Sequence, residues 1–552
     1  MDSPAAFVDE ARPLILIRGF GGLGTADERR VAYQGFNDGT VYPGKRGENY
    51  IYEGLVLRLL KSDWEYQDAT NVVGYYSRSQ PRPEVLPPEL EQLAEFFEGR
   101  VAADPAMALS IATTTKSVTN TIWVFRYYDL EDRTFQTYGT ELVHLIDFIR
   151  ALATSLGEDP PPKVNLIAHS MGGLIVRHAI QVDYPNLKGA TRAAEDHIHR
   201  IVTLGTPHQG ISFQVLDSLA GFGAAGELAA FNPEGPAGRS DAPGNWSFRN
   251  FHNHFDPRRV LTVVGTNYRT YGSGASVLLN RLASVPGEFG PTYNRSDGLV
   301  KQAYAQLPGA PRTFVHKCHG GSDSLVTSRE AFEIATRFCY GNVSARLRLV
   351  DAEVTRGKDL FGRSEFFLGV SVKPRGVDFE LFHQSAEAEN CYGPFNRADL
   401  GDDLSGSRGF DWADSSERLI WEGWLDTRVR RRNASQPLPD LVVRLDIYVG
   451  ERDTWGIGFS DNRVFQKQYY LQAMLAPELR LFLHTGERFL GPHRPEDPVR
   501  LMQAVSEVAA DSDDSAVTAC ELVDGEWRFS VQGTGFRATL AAKLAFGIGD
   551  SE

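Results

Sequence analysis

Ser170, Asp297 and His319 are the side chains whose types and order in this chain could perform nucleophilic chemistry. A bare hydroxyl is a weak nucleophile and needs a base to take its proton. Imidazole is the usual base, and a carboxylate can hold it in the useful tautomer and stabilise the imidazolium. Ser170 lies in "NLIAHSMGG", residues 165 to 173, where an apolar run stops at His-Ser-Met and two glycines. That pattern predicts a strand, a tight turn and a helix, with the serine Oγ projecting above the sheet. Ala168 and Gly172 stand two residues before and after the serine. The segment departs from G-x-S-x-G at its first glycine, but alanine is the smallest residue with a Cβ, so the steric demand is still met. Met171 begins the predicted helix, so its N–H points where an oxyanion would develop.

On such a scaffold the expected chain order is Ser, then acid, then His. "NRSDGLVKQAY" supplies Asp297, and "TFVHKCHGGSDS" supplies His319 on a glycine-rich loop before a closing helix. Asp256, just before "RRVLTVVG", remains an alternative acid, and His316 an alternative base. His208, in "TPHQG", precedes the expected acid and reads as structural, while Cys318 reads as a packed thiol. A second oxyanion donor should come from the loop after an early strand. "IRGFGG" offers the N–H of Phe20, just past Gly19. Removing one of two such donors typically costs about 10²–10³ in rate.

Elements able to position these residues can be read from periodicity. "PLILIRGFGG" (13–22) and "TIWVFRYYD" (121–129) are buried-strand patterns. The segment between them is long for a plain loop and reads as a structured insertion, with "YEGLVLRLLKSDWEY" as a short helix. "TELVHLIDFIRALATSLG" (140–157) has apolar residues at helical spacing, with Thr140 as N-cap and Gly157 as stop. Strand 163–168, helix 172–183, strand 200–205, strand 258–265 and helix 328–341 follow. Strands alternating with helices argue for a mostly parallel sheet covered on both faces. Residues 211–257 carry glycine and alanine among large apolar residues, and their position suits a lid or cap over the serine as well as an ordinary packed insertion.

Past residue 342 the texture changes. "SARLRLVDAEV", "EFFLGVSVKP", "DLVVRLDIYVG", "EWRFSVQG" and "FRATLAAKLAF" alternate, separated by turn signals such as Asp524-Gly525. The expected fold class is α/β: a 1–342 domain with insertions at about 26–115 and 211–257, then a 343–552 all-β sandwich.

With 552 residues the chain exceeds one ordinary core, so two or more domains are expected. Its formal net charge of -14 disfavours broad nucleic-acid binding and does not favour an anionic membrane surface. Contact with a neutral lipid interface stays open. Cys318, Cys339, Cys391 and Cys520 are too few for a disulfide framework and lack metal-type spacing, although one bridge is allowed. "MDSPAAFVDEARP" has neither the basic nor the apolar stretch of a secretory leader, and no segment suits a bilayer span. The expectation is a soluble protein, cytoplasmic or exported without a classical signal.

"AHSMGG" (168–173), "LGTPHQG" (204–210), "SDGLV" (296–300) and the later His-Gly at 319–320 resemble, in order and approximate separation, the bacterial and PGAP1-like lipases of the α/β-hydrolase superfamily. The resemblance spans roughly residues 12–340. It implies an α/β-hydrolase domain that hydrolyses carboxylic esters of lipid-like or small-molecule kind without a cofactor or metal. Ser170, Asp297 and His319 would form the triad, with Phe20 and Met171 as oxyanion donors. Arg18 stands where that family usually has histidine; since the donors are backbone groups, the exchange bears on the loop's hydrogen bonding and on substrate preference. Two alternatives accompany this expectation. One is a phospholipase, which the added β domain and absent leader would suit as a delivered membrane-attacking effector. The other is a non-catalytic binding or scaffolding protein on a hydrolase fold. The stretch 347–372 has a C2-like flavour with Asp359 and Glu365, but no full acidic cluster for calcium. A structural or partner-binding sandwich is therefore expected ahead of calcium-dependent lipid binding.

Overall fold

The computed structural model describes residues 11–19, 52–62, 64–72, 88–115, 117–127, 130, 132–210, 248–270, 295–321, 323–354, 364–375, 377–395, 418–427, 440–453, 462–475, 478–485 and 518–546. The chain forms two compact units. One comprises Met1–Ala283, Ser296–Pro311 and Lys317–Ala335; the other comprises Ser284–Arg295, Arg312–His316 and Thr336–Glu552.

The α/β part begins with β1 (Leu14–Ile17), whose four residues are all buried. Helix α1 (Glu53–Leu60) and the two-residue β2 (Gln67–Asp68) follow, then a 3-10 segment, Pro88–Phe97. Helix α2 (Pro105–Thr114) has Asp104 as its N-cap, accepting from the N–H groups of Ala106 and Met107. The early insertion thus carries structure of its own, as its length suggested. After β3 (Thr121–Val124) comes the longest helix, α3 (Phe135–Ser155). It starts five residues before the sequence expectation. Thr134, not Thr140, is the cap, its Oγ1 accepting from Thr137 N–H at 3.1 Å. Phe135 and Tyr138 are buried, so the apolar stripe simply extends further back. Gly157 lies just past the end with φ 87°, the left-handed stop its position implied.

Next come β4 (Val164–His169), α4 (Met171–His178), a π-helical turn over Ala179–Asp183, and α5 (Tyr184–Lys188). The α/β part closes with β5 (Ile198–Leu204), β6 (Val260–Gly265), β7 (Arg312–Val315) and α6 (Arg329–Tyr340). The seven strands form one sheet in the order β2-β3-β1-β4-β5-β6-β7. The registered pairings from β2 through β6 are all parallel, for example Ile17 with Ala168 and His169 with Leu204. β4 is therefore central and buried throughout, apolar except at Asn165 and His169, as suits a strand covered on both faces. Leu142, Ile146, Ile149 and Leu152 of α3 are fully buried in the same cluster as Trp123, Leu166 and Leu174. Each such side chain contributes about 1.5–3 kcal/mol by leaving water.

The C-terminal strands are β8 (Val343–Val354), β9 (Ser364–Pro374), β10 (Tyr392–Phe395), β11 (Leu419–Leu425), β12 (Asp440–Asp453), β13 (Asn462–Met474), β14 (Arg480–His484), β15 (Thr518–Ala519), β16 (Glu521–Val523), β17 (Glu526–Gly533) and β18 (Phe536–Phe546). They form two antiparallel sheets, ordered β10-β9-β12-β13-β14-β15 and β11-β8-β18-β17-β16. The sheets meet through Phe465 against Phe536, ring centroids 5.1 Å apart, and through Tyr469 Oη donating to Gln532 O at 3.0 Å. Asp524 (φ 53°) and Gly525 (φ 80°) make the tight hairpin between β16 and β17 that their sequence announces.

Each of the four cysteines is a buried thiol, so the bridge that composition allowed is not made. Of the expected lid, 211–257, residues 211–247 lie outside the described residues, and Phe248–Asn253 forms a short 3-10 segment. Among the described residues, no helix is long and apolar enough to cross a membrane.

Candidate active site

The turn after β4 is built as the sequence demanded. Ser170 has φ 53° and ψ -126°, a conformation that costs a non-glycine residue about 1–3 kcal/mol. Its surroundings hold it there. Ser170 N–H donates to Leu204 O at 2.9 Å, and its carbonyl accepts from Gly173 N–H at 3.1 Å. Gly172 is required by close approach: a Cβ there would lie 2.6 Å from Arg18 O and 2.8 Å from Ile17 O. Met171 opens α4, so its N–H is one of those that no intrahelical carbonyl receives. Phe20, the other expected donor, lies outside the described residues.

His319 Nε2 is 2.9 Å from Ser170 Oγ, and His319 Nδ1 is 2.8 Å from Asp297 Oδ2. A carboxylate oxygen only accepts, so Nδ1 carries the hydrogen of the neutral ring and Nε2 receives the Ser170 O–H. The carboxylate is itself fixed: Asp297 Oδ1 accepts from Leu299 N–H at 3.0 Å and Val300 N–H at 2.8 Å. His319 is tied to the same turn, its backbone N–H donating to Asp297 O at 2.9 Å. Asp297 and His319 are buried, at 1% and 4% exposure, so this pairing operates away from competing water.

The alternatives occupy other positions. Asp256 caps a short 3-10 turn and accepts from Arg258 N, Nε and Nη2. Burial alone would raise its carboxyl, but the Arg258 bonds and charge outweigh that and hold it below its ordinary value. His316 lies ring to ring with His383, centroids 5.3 Å apart. His208 is fully buried, its Nε2 3.0 Å from Thr203 Oγ1, and burial followed by the Arg177 charge keeps it neutral. Cys318 Sγ lies 3.1 Å from Gly320 O and 3.0 Å from Asp323 O, which share its single hydrogen, and burial pushes the thiol up, away from thiolate. Glu365, one of the two acids noted for calcium, is engaged by Arg452, while Asp359 lies outside the described residues.

Two buried groups anchor the helix behind the serine. Arg177 donates to His208 O at 2.6 Å and to Gln181 Oε1 at 3.2 Å; burial lowers its guanidinium to about 9. His178 Nδ1 donates to Asp183 Oδ2 at 2.7 Å, and Gln136 and Thr140 donate to Asp183 Oδ1, joining α3 to the π-turn. Neither set was assigned from sequence.

The strand, the Ser170 turn and the helix after it coincide with a family match. Residues 104–220 match the PGAP1-like alpha/beta domain. The PGAP1-like segment contains β3, α3, β4, Ser170, α4 and β5, the stretch that presents the serine. No curated protein sequence matches the chain. Among solved structures, the mature form of the Bacillus licheniformis lipase BlEst2 aligns at 16% identity over 60% of this chain and 93% of that one, with a TM-score of 0.26. Phospholipase PlaB from Legionella pneumophila aligns at 11% identity over 82% of this chain and 92% of that one, with a TM-score of 0.30.

Two further side chains touch the site. His169 directly precedes the serine, and its Nε2 lies 2.9 Å from His319 O. Tyr52 Oη lies 2.7 Å from His169 Nδ1 and accepts from Gly19 N–H at 2.8 Å. His169 could have been noticed beside Ser170; Tyr52, 117 residues earlier, gives no signal of its own in the sequence.

Proposed function

We propose that the chain is a serine carboxylic ester hydrolase acting on lipid-like esters. The observation that carries the reading is the array Ser170 Oγ, His319, Asp297, with its two consecutive distances of 2.9 and 2.8 Å. As Ser170 Oγ attacks the ester carbonyl carbon, its proton passes to His319 Nε2. The carbonyl π pair moves onto oxygen, and Met171 N–H, with Phe20 N–H, stabilises that oxyanion. Collapse expels the alkoxide, which takes the proton from His319 and leaves as alcohol. Water then repeats the sequence on the acyl-enzyme, yielding the carboxylic acid and restoring Ser170. Asp297 stays ionised and stabilises the imidazolium of each step. The lipid-like substrate class carries over from the resemblance of 168–173, 204–210 and 296–300 to PGAP1-like lipases, which the match over 104–220 supports.

Hydrolysis of p-nitrophenyl esters of graded acyl length tests the proposal. Wild type should turn over the esters, and Ser170→Ala should lose at least about 10³-fold in kcat while keeping its fold. Turnover retained by Ser170→Ala would move the chemistry elsewhere; a folded wild type inert towards every ester would favour a scaffold.

A further inference from the structure

Four groups from separate stretches form one directed chain beside the serine. His319 O is a carbonyl and can only accept, so the hydrogen between it and His169 belongs to His169 Nε2. A neutral imidazole then has a bare Nδ1, which the Tyr52 O–H must supply. The Tyr52 oxygen in turn accepts from Gly19 N–H. The other side of the same peptide is held as well, because Tyr127 Oη donates to Arg18 O at 2.9 Å. The peptide joining Arg18 and Gly19 is thus gripped by two tyrosines, one of which reaches the loop of the base through His169.

Local packing makes the arrangement tight. A Cβ on Gly19 would lie 2.6 Å from Ser170 Cβ and 3.0 Å from His169 Nδ1. The His169 ring sits 4.9 Å from the His319 ring and meets Tyr52 edge-on at 5.7 Å. Burial first, and then the His319 and Arg18 charges, push His169 well below the ordinary histidine range. A second cation so close would oppose the imidazolium that ester hydrolysis places on His319. The neutral ring avoids that conflict.

We propose that Tyr52 and His169 are positioning residues for the Ser170–His319 reaction, locking the backbone of the base and the Gly19 peptide at the end of β1 into one unit. The inference rests on the hydrolase reading above. Neither side chain is assigned contact with the reacting atoms. Their work is to keep the imidazole and the turn facing it in register, where a displacement of about 1 Å can cost up to about 10²-fold.

A double-variant cycle tests it with a soluble p-nitrophenyl ester. Tyr52→Phe and His169→Ala should each lower kcat by about 10–100-fold with KM nearly unchanged. The double variant should lose no more than the worse single, since either change opens the same chain. His169→Gln, whose amide offers both a donor and an acceptor, should recover part of the loss; merely filling space would not give that. Unchanged kcat in folded Tyr52→Phe, or losses that multiply in the double variant, would overturn the proposal. If His169→Ala does not fold, the kcat of folded Tyr52→Phe decides the proposal by itself. Ser170→Ala run alongside separates the two layers. Its retained turnover would sink the hydrolase reading, whereas a dead Ser170→Ala beside a fully active Tyr52→Phe would sink only the positioning role.

Discussion

At the scale of single residues, the proposed hydrolysis turns on one hydrogen. His319 must present a bare Nε2 to Ser170, and it does so because Asp297 Oδ2 claims the hydrogen on Nδ1. Replacing Asp297 by asparagine keeps the shape and lets the remaining oxygen accept from Leu299 and Val300, but the new amide donates where the carboxylate accepted. The imidazole would then place its hydrogen on Nε2, and Ser170 would lose its base. Asp297→Asn should therefore lower kcat by about 10⁴-fold with little change in the thermal midpoint. Steady-state kinetics beside an unfolding scan check this; a folded variant with near wild-type kcat would remove Asp297 from the mechanism. The same reasoning separates Asp297 from Asp256, whose oxygens are already spent on Arg258 and on capping a turn.

At the scale of elements, the sequence was most readable where local demands and tertiary demands agree. Val164–His169 is buried throughout because β4 is covered on both faces, and Gly172 must be small because the helix after Ser170 passes close to Ile17 and Arg18. Ser170, Asp297 and His319 could be picked out because each sits on a turn that small residues mark. Strand boundaries and caps were less readable. Thr134 and Thr140 are both plausible caps by type, and only the buried Phe135 and Tyr138 decide between them. β13 left almost no trace: its first half carries Arg463, Gln466, Lys467 and Gln468, while Tyr469–Met474 are all buried, so period-two alternation disappears. Tyr52 was invisible for another reason. Its partners His169 and Gly19 are brought to it by the sheet, and no spacing rule links a helix cap to a strand end so far along the chain.

At the scale of the whole molecule, buried and half-buried histidines tie stability to acidity. Burial, then the charges of Arg12, Arg200, Arg259 and Lys163, lower His199 to about 2, and burial, then Arg150, lowers His197 to about 4. His169 and His208 are also held well below their ordinary value, chiefly by burial. In the unfolded chain each would take a proton near pH 6.5, so the unfolded state binds more protons than the folded one below that point. The stability these groups confer is complete above about pH 6.5 and is lost as pH falls towards the folded values, by up to about 1.4 kcal/mol per pH unit for each. Thermal unfolding followed from pH 7.5 to 5 should show a falling midpoint, with a shallower slope in His199→Gln. A flat or rising midpoint on acidification would contradict the burial described for these rings.

The central claim is that Ser170 Oγ becomes the nucleophile, and a covalent trap reads it directly. Diethyl p-nitrophenyl phosphate offers an electrophilic phosphorus and a chromogenic leaving group. Incubated with the wild-type protein, it should release one p-nitrophenolate per chain and leave a single diethylphosphoryl group on the tryptic peptide Val164–Arg177, at Ser170, when that peptide is sequenced by mass spectrometry. Ser170→Ala should stay unlabelled. A label on any other side chain, or no label on folded protein that still hydrolyses esters, would contradict it.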